Sequence, residues 1–348
     1  MIEIRGVFTA TVTPFDRHGS LDNDGLSDLL TFQLESGVAG IVAAGTTGEA
    51  TTLSAAEYWE VLEQCVGACS AGGAVAVAST GKNSTAEAME LSTVAARMGF
   101  KSLLLVDPYY NAPSSLEIRK EYVEPLCRSL PEVSIIPYVI PGRTGTQLLP
   151  QDLAILHSSF PGVTAVKEAT GSLENMSAVR KYCGSKMSIM SGDDSLTYAA
   201  MNERSIAADG AISVISNLFP REVTEMVSSL REGNSARAEK LREMLTPWFD
   251  TVTVRSTEST RYGAVTLKSR NPVPVKSLMR LIGMPSGPCR QPLGKLGPNA
   301  GASLLQLARE QHAKHPELFE RIEDFFHVDV GERLLNHDII REIAYETY

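Results

Sequence analysis

Lys167 is the residue whose type and position most directly suggest chemistry in this sequence. It follows a short apolar, β-branched run at 162–166 and precedes a polar stretch at 168–171. Burial lowers the pKa of an ammonium group, which leaves more free amine at neutral pH. A free amine can attack a carbonyl carbon and form a Schiff base. The alternative is a lysine whose charged end only reaches water beyond the sheet.

A glycine-bounded turn follows an earlier apolar segment. Residues 45–49 read Gly-Thr-Thr-Gly-Glu, so the hydroxyls of Thr46 and Thr47 lie beside exposed backbone N–H groups. Glycine permits the tight turn that exposes those groups, and together they make a cradle for an anion. The turn therefore predicts a carboxylate site, unless it only caps the helix that follows.

Two further segments place phenols and a guanidinium after apolar runs. The tyrosine pair Tyr109 and Tyr110 follows one run, while Tyr138 and Arg143 follow another. A phenol can relay a proton, and a guanidinium can hold a carboxylate through two hydrogen bonds. Adjacent tyrosines point in different directions, so one can pack while the other enters a site.

The paired aspartates Asp193 and Asp194 invite a metal-site interpretation. The sequence offers no obvious partner ligands for them, so we expect no bound metal. A position just before a helical pattern favours a cap on that helix and hydrogen bonds that orient its neighbours.

These groups need a scaffold that brings the ends of different strands together. Short apolar segments alternate with helical patterns, and strand-then-helix repeats predict a parallel sheet covered by helices. Eight such units in roughly 220 residues predict a closed (β/α)8 TIM barrel, whose functional side chains cluster at the C-terminal strand ends. An open Rossmann sheet is less consistent because no Gly-x-Gly-x-x-Gly follows the first strand. The predicted strands are 6–12, 39–44, 74–79, 102–106, 133–139, 162–167, 187–191 and 210–215.

The remainder of the chain predicts a C-terminal helical extension. We expect residues 1–220 to form the barrel with the active site and 221–348 to form this extension. An insertion at 251–269 fits either an irregular loop or a hairpin, and 283–301 is rich in glycine and proline, which predicts a loop. The insertion and the helical tail at 302–348 are expected to be surface decoration or oligomer contacts.

Composition excludes several classes of function. The formal net charge is −9 and no stretch is strongly basic, so neither nucleic acid nor an anionic membrane surface is an expected partner. Five cysteines without a Cys-x-x-Cys pair argue against disulfides and zinc. No apolar run is long enough to span a membrane, and the N-terminus lacks a signal-peptide pattern. We therefore expect a soluble cytoplasmic protein.

Six motifs in order and spacing resemble one family. They are Gly-Thr-Thr-Gly-Glu at 45–49, Tyr-Tyr-Asn at 109–111, Arg-Thr-Gly at 143–145, Val-Lys-Glu-Ala-Thr-Gly at 166–171, Gly-Asp-Asp at 192–194 and Gly-Ala-Ile-Ser-Val at 210–214. The family is that of dihydrodipicolinate synthase and N-acetylneuraminate lyase, the class I pyruvate-dependent aldolases. The segment at 271–276 is also similar, so the resemblance covers about residues 4–300.

The resemblance implies roles for the residues of the first substrate site. Lys167 would form an imine with pyruvate, and no metal or organic cofactor would be needed. Thr46 and Thr47 would hold the pyruvate carboxylate, and Tyr138 would move protons. Tyr110 would reach the neighbouring subunit's site and complete a relay with Thr47 and Tyr138. The resemblance therefore implies a homodimer or homotetramer.

For the second substrate, the resemblance implies that Arg143 binds the carboxylate of aspartate semialdehyde. Ile212 would contribute backbone near the lysine. The expected activity is that of a dihydrodipicolinate synthase, in lysine and diaminopimelate biosynthesis. The threonine pair, Arg143 and the Gly-Asp-Asp motif favour this branch.

Two alternatives remain open from the sequence. One is a pyruvate-forming lyase that acts on N-acetylneuraminate or a 2-keto-3-deoxy sugar acid, and the other is an inactive relative that only binds a keto acid. Pro137 and Val139 depart from the family pattern, because an asparagine usually follows the tyrosine. Loss of that amide could retune the pocket for another aldehyde.

Overall fold

The eight apolar segments form parallel strands because each is followed by a helix that returns the chain to the same end of the sheet. In the computed structural model, which describes residues 3–348, they pair in chain order and β8 pairs with β1, so the barrel is closed. Each predicted strand overlaps an observed one, which confirms the predicted TIM barrel. The strands are β1 Gly6–Ala10, β2 Gly40–Ala43, β3 Val75–Ser79, β4 Ser102–Val106, β5 Ser134–Val139, β6 Ala165–Glu168, β7 Ser188–Ser191 and β8 Gly210–Ser213.

Helices cover the outside of the barrel, and several begin at caps that the sequence supplies. Ser54 and Glu57 exchange side-chain and backbone hydrogen bonds in a capping box, which satisfies two N–H groups of the first turn. The main helices of this part are Asn23–Glu35, Ala55–Gly72, Thr85–Arg97, Pro150–Ser159, Leu173–Cys183, Asp194–Asn202 and Pro220–Arg231. Between β4 and β5 the helix Ser115–Glu117 continues through the π-helical turn Ile118–Val123 into Glu124–Ser129, and after β5 lies the short helix Pro141–Thr144.

The core has two layers because successive side chains of a strand point to opposite faces. Phe8, Tyr138 and Ile212 belong to the layer inside the barrel, whereas Val139 belongs to the layer between strands and helices. By the same alternation, Pro137 faces outward with Val139. The departures noted at these two positions therefore point away from the inside of the barrel.

The C-terminal region is helical apart from one hairpin. The insertion forms β9 Thr253–Thr260 and β10 Gly263–Arg270, which pair antiparallel. The expected loop at 283–301 ends too late, because a helix already begins at Pro298, a residue suited to the first helical position. The main helices are Ser235–Phe249, Val273–Ile282, Pro298–Lys314, Glu320–Phe326, Val330–Leu335 and Ile340–Ile343.

Aromatic side chains join this region to the barrel. The ring centroids of Phe219 and Trp248 are 4.9 Å apart, and those of Phe219 and Phe319 are 5.7 Å apart. All three rings are buried in the same hydrophobic cluster as the outer face of the strands. The division at residue 220 stays a prediction, and the two segments share one core.

None of the helices between residues 3 and 348 has the length and hydrophobicity needed to cross a membrane.

Candidate active site

Lys167 lies at the C-terminal end of β6 inside the barrel. Only 5% of its surface is exposed, and its Nζ is 4.3 Å from the centroid of the Tyr138 ring. The two residues are direct neighbours in register on β5 and β6. Burial lowers the pKa of Lys167 to about 7; the Asp194 carboxylate opposes this shift and Arg143 adds to it. A large fraction of the amine is therefore neutral near pH 7.

Gly192 provides the space that the Lys167 side chain occupies. A Cβ at this position would lie 3.0 Å from Cε of Lys167 and 2.8 Å from Cβ of Ala169. Both distances are tight for a carbon atom inside a packed core. The sequence showed Gly192 only as part of a motif, and nothing in its type indicated contact with the lysine.

Tyr138 reaches the same chamber from β5. Burial raises the pKa of its phenol, while Arg143 and the hydroxyl of Thr46 act in the opposite direction. The phenol is therefore protonated at neutral pH and can donate a proton or a hydrogen bond. Its ring position is fixed because the side chain packs in the inner layer of the barrel.

Thr47 is oriented by Asn271, a residue to which the sequence assigned no role of its own. Nδ2 of Asn271 donates to Oγ1 of Thr47 at 2.9 Å, so the Thr47 hydroxyl hydrogen is free to point elsewhere. The backbone oxygen of Asn271 accepts from Arg143 Nη2 at 2.8 Å. Oδ1 of Asn271 is buried and has no hydrogen-bond partner within residues 3–348.

Arg143 lies in the short helix after β5 and keeps solvent contact in the cleft. Partial desolvation of its guanidinium, together with the nearby charge of Arg270, lowers its pKa. An arginine nevertheless remains charged, because its pKa starts far above neutral pH. Arg270 Nη1 donates to the backbone oxygen of Gly142 at 2.7 Å, which ties the turn that carries Arg143 to β10.

A buried ion pair anchors the turn that carries the two threonines. Nζ of Lys276 lies 2.6 Å from Oε1 of Glu49, and at most 1% of either side chain is exposed. The same ammonium donates to the backbone oxygens of Thr13 at 3.0 Å and Pro288 at 3.1 Å. The sequence showed Glu49 and Lys276 only as ends of two motifs. Their contact depends on a chain separation of 227 residues.

The predicted role of the paired aspartates as caps and orienting groups is confirmed. Asp193 caps the helix that follows, accepting from Ser195 N at 3.1 Å. Asp194 is buried and accepts from the Ser213 hydroxyl and from the Val214 N–H at 2.9 Å. Burial raises the pKa of Asp194, and these donors oppose that shift.

Neither Tyr110 nor Ile212 lines this chamber, and the expected backbone contribution of Ile212 stays a prediction. Tyr110 is 89% exposed and has a left-handed backbone with φ of 77°, while Tyr109 lines the adjoining cavity. The Ile212 side chain is fully buried in the inner layer of the barrel. The other expected site residues, Thr46, Thr47, Tyr138, Arg143 and Lys167, line one chamber of about 390 Å³.

A second, outer chamber of about 660 Å³ adjoins the first. The two share Thr46, Tyr138 and Arg143, together with Lys268 and Arg270 of β10. The inserted hairpin therefore forms part of the cleft wall, and the expectation that it is surface decoration or an oligomer contact is incomplete. Nothing in the residue types of 251–269 indicated this position.

Within residues 3–348, no group of three or more His, Cys, Asp or Glu side chains lies close enough together to hold a metal ion.

Comparison with known proteins decides the family. The sequence profile described as "Dihydrodipicolinate synthetase family" matches residues 3–311. The chain belongs to this family. A relative from Pelobacter propionicus, named 4-hydroxy-tetrahydrodipicolinate synthase, is 37% identical over 308 residues, which cover 88% of this chain and 98% of the relative.

Solved structures of the dihydrodipicolinate synthetase family share the fold. The chloride-inhibited dihydrodipicolinate synthase from Acinetobacter baumannii, complexed with pyruvate, has a TM-score of 0.79 and 29% identity, covering 89% of this chain and 99% of that one. A monomeric dihydrodipicolinate synthase variant also has a TM-score of 0.79, with 27% identity over 88% of this chain and 96% of its own. At least one solved relative is therefore described as a monomer.

Proposed function

We propose that this chain is a 4-hydroxy-tetrahydrodipicolinate synthase that condenses pyruvate with aspartate semialdehyde through an imine on Lys167. The observation that carries the proposal is the buried Lys167 amine, with a pKa of about 7 and its Nζ 4.3 Å from the Tyr138 ring centroid. The threonine turn and Arg143 line the same chamber. The relative from Pelobacter propionicus carries the same name. The product enters lysine and diaminopimelate biosynthesis.

Imine formation uses the inner chamber. The neutral Nζ of Lys167 attacks the keto carbon of pyruvate, and the former carbonyl oxygen leaves as water after it takes up two protons. Tyr138 is the proton donor because its phenol is protonated and adjacent to the amine. Thr46 and Thr47 bind the pyruvate carboxylate through hydroxyls and backbone N–H groups. No external cofactor is required, since the protonated imine itself withdraws electrons.

Carbon–carbon bond formation then uses Arg143. The imine loses a proton from the methyl carbon and becomes an enamine, whose carbon attacks the aldehyde carbon of the semialdehyde. The aldehyde oxygen takes up a proton and becomes a hydroxyl group. The amino group of the bound semialdehyde next attacks the imine carbon and displaces Lys167, which closes the ring. Arg143 binds the semialdehyde carboxylate throughout, because a guanidinium can pair with it through two hydrogen bonds.

Tyr110 is proposed to act in a neighbouring subunit. It does not line either chamber of its own chain, and a non-glycine residue at positive φ is a strained conformation that needs support from its surroundings. We infer a homodimer or homotetramer in which Tyr110 completes the relay of Thr47 and Tyr138 in the partner's site. Sedimentation of wild-type protein gives the assembly state, and a monomer with full activity would contradict this inference. We also infer that the enzyme works in the cytoplasm, where both substrates are soluble.

Two assays test the proposed function in sequence. Incubation with pyruvate and borohydride should add one reduced pyruvyl group to Lys167, detected by mass spectrometry. Purified protein with pyruvate and aspartate semialdehyde should then drive cofactor oxidation by added dihydrodipicolinate reductase. Trapping of pyruvate without condensation would indicate that the protein forms the imine but uses a second substrate other than aspartate semialdehyde. Absence of trapping would refute imine chemistry.

The sugar-acid lyase alternative receives no support from β5. Pro137 and Val139, which had suggested a retuned pocket, face away from the inside of the barrel, and neither lines the two chambers. N-acetylneuraminate and a 2-keto-3-deoxy sugar acid serve as comparison substrates in the same experiment. Release of pyruvate from either at a rate above that of the condensation would favour the lyase.

A further inference from the structure

The outer chamber has an unbalanced charge. Its lining includes five cationic side chains and one carboxylate, and that carboxylate, Glu49, already pairs with the buried Lys276. Within residues 3–348, none of the five cations forms an ion pair with a carboxylate of the chain. The cations are Lys82, Arg143, Lys268, Arg270 and Lys295. In a protein with a net charge of −9, this concentration of positive charge is local.

The inserted hairpin contributes two of these five cations, Lys268 and Arg270, through one of its faces. Lys268 lies directly opposite Arg255 in the β9–β10 register, and Arg270 is two residues further along the same face. Like charges opposite each other destabilise a strand pair. The neighbouring guanidinium of Arg270, followed by burial and then Arg255 and Arg143, lowers the pKa of Lys268. An anion at this face would relieve the repulsion.

The other face of the hairpin fixes the position of these cations. Glu258 on that face is buried and accepts from the backbone N–H of Asn299 at 3.1 Å, at the start of helix Pro298–Lys314. At the base of the hairpin, Arg270 donates to Gly142 at 2.7 Å. The cationic face is therefore held against the cleft and is not a freely moving surface loop.

We propose that the outer chamber binds a small polycarboxylate. Its volume of about 660 Å³ lies within the range of small-molecule sites. Cationic side chains from β10, from the turn after β5 and from Lys295 line it, so more than one carboxylate of a single ligand can be paired. Carboxylates fit better than larger anions because the chamber shares Thr46 and Arg143 with the chamber for keto acids.

Such a ligand would compete with the second substrate, an expectation that rests on the proposed function. It shares Arg143 with aspartate semialdehyde, so it raises the KM for that substrate. The amine of Lys167 lies in the inner chamber and stays open to pyruvate, so imine trapping continues. The inserted hairpin thereby gives this enzyme a carboxylate-sensing element beside its catalytic chamber.

The test is direct binding of citrate to the full-length protein, measured by titration calorimetry at fixed ionic strength. We expect saturable binding near one citrate per chain and much weaker binding of acetate. The double variant Lys268→Gln/Lys295→Gln removes two cations that line the chamber and should bind citrate at least about fivefold more weakly, the loss of roughly 1 kcal/mol of charge pairing. The matched control Arg261→Gln removes one cation from the hairpin tip, outside the chamber, and should bind within about twofold of wild type.

Three results would overturn the proposal. They are acetate binding as tightly as citrate, the double variant binding as tightly as wild type, and pyrophosphate binding more tightly than citrate. Circular dichroism of each variant verifies that the protein is folded. Because this readout needs no turnover, it is independent of whether the chain is a synthase. In the coupled assay, citrate should raise the KM for aspartate semialdehyde without reducing the yield of pyruvate trapping. An equal decrease in the condensation rate and in the trapping yield would contradict a site in the outer chamber.

Discussion

The floor and the rim of the cleft differ in burial and in charge. The floor consists of Lys167 and Tyr138 on adjacent barrel strands, buried side by side, with pKa values shifted by burial. The rim consists of Lys268 and Arg270 on an inserted hairpin, exposed or half-buried and unpaired with carboxylates within residues 3–348. Burial lowers the pKa of the lysine at the floor, whereas the role we propose for the charge at the rim is to select the ligands that approach it. Substitutions should therefore separate chemistry from recognition.

The largest expected effect is at the floor. Lys167→Ala removes the attacking amine, so borohydride trapping of pyruvate should disappear and turnover should fall by at least about 10³-fold. Lys268→Ala, the matched lysine at the rim, should retain trapping. Trapped pyruvate on the Lys167→Ala protein would place the imine on another lysine.

Tyr138→Phe should come next in size. It keeps the ring that packs against Lys167 and removes the proton donor, so kcat should fall by about 10²- to 10³-fold. Imine formation should slow with it, as followed by rapid-quench trapping. Tyr109→Phe, a change in the outer chamber, serves as the control, and an equal loss there would indicate a general effect of removing a phenol.

The buried ion pair between Glu49 of the threonine turn and Lys276 of the C-terminal region should contribute more to stability than an exposed pair. Lys276→Met leaves Glu49 buried without its partner, and the free energy of unfolding should drop by about 3–5 kcal/mol. Glu225→Gln breaks the exposed pair with Arg237 and should cost at most about 1 kcal/mol. Urea denaturation measures both, and equal losses would mean that the buried pair is no stronger than a surface one.

The pH dependence of the rate of imine formation should follow the protonation state of Lys167. Burial lowers the pKa of Lys167 to about 7, so the reactive neutral amine increases as pH rises through 7. The trapping rate should rise about tenfold per unit below that pH and level off above it. An unfolded lysine keeps its proton up to a higher pH, so between pH 7 and the unfolded pKa the unfolded chain binds more protons and the free energy of unfolding rises with pH. A trapping rate still rising steeply at pH 9 would contradict the shifted pKa.

The smallest effect is expected at the rim. Arg270→Gln loses a cation and the hydrogen bond to Gly142, so the KM for aspartate semialdehyde should rise by about three- to tenfold. The rate of pyruvate trapping should stay within twofold of wild type, about the effect of a distant exposed charge. A matching fall in trapping would show that rim and floor are coupled.

The floor was predictable from the sequence and the rim was not. Lys167 and Tyr138 stand at the ends of apolar runs, so the barrel interpretation placed both at the C-terminal strand ends, where functional side chains cluster. The sequence suggested that Pro137 and Val139 could alter the pocket, but the same alternation turns both outward. Lys268 carries no comparable signal, because its face depends on the register of a hairpin whose existence the sequence left open. The Lys276 contact with Glu49 was likewise hidden, since it joins distant parts of the chain.

The salt link between Glu49 and Lys276 also determines how this protein can be divided. A fragment that stops after β8 would retain all eight barrel strands and Lys167, yet Glu49 in the threonine turn would lose both its ion-pair partner Lys276 and the hydrogen bond from the Arg290 N–H. The barrel of this chain is therefore not a transferable catalytic module. A graft or a truncated version of the barrel must therefore keep the segment through Arg290, which includes helix Val273–Ile282 and the hydrogen-bond partners of the ion pair.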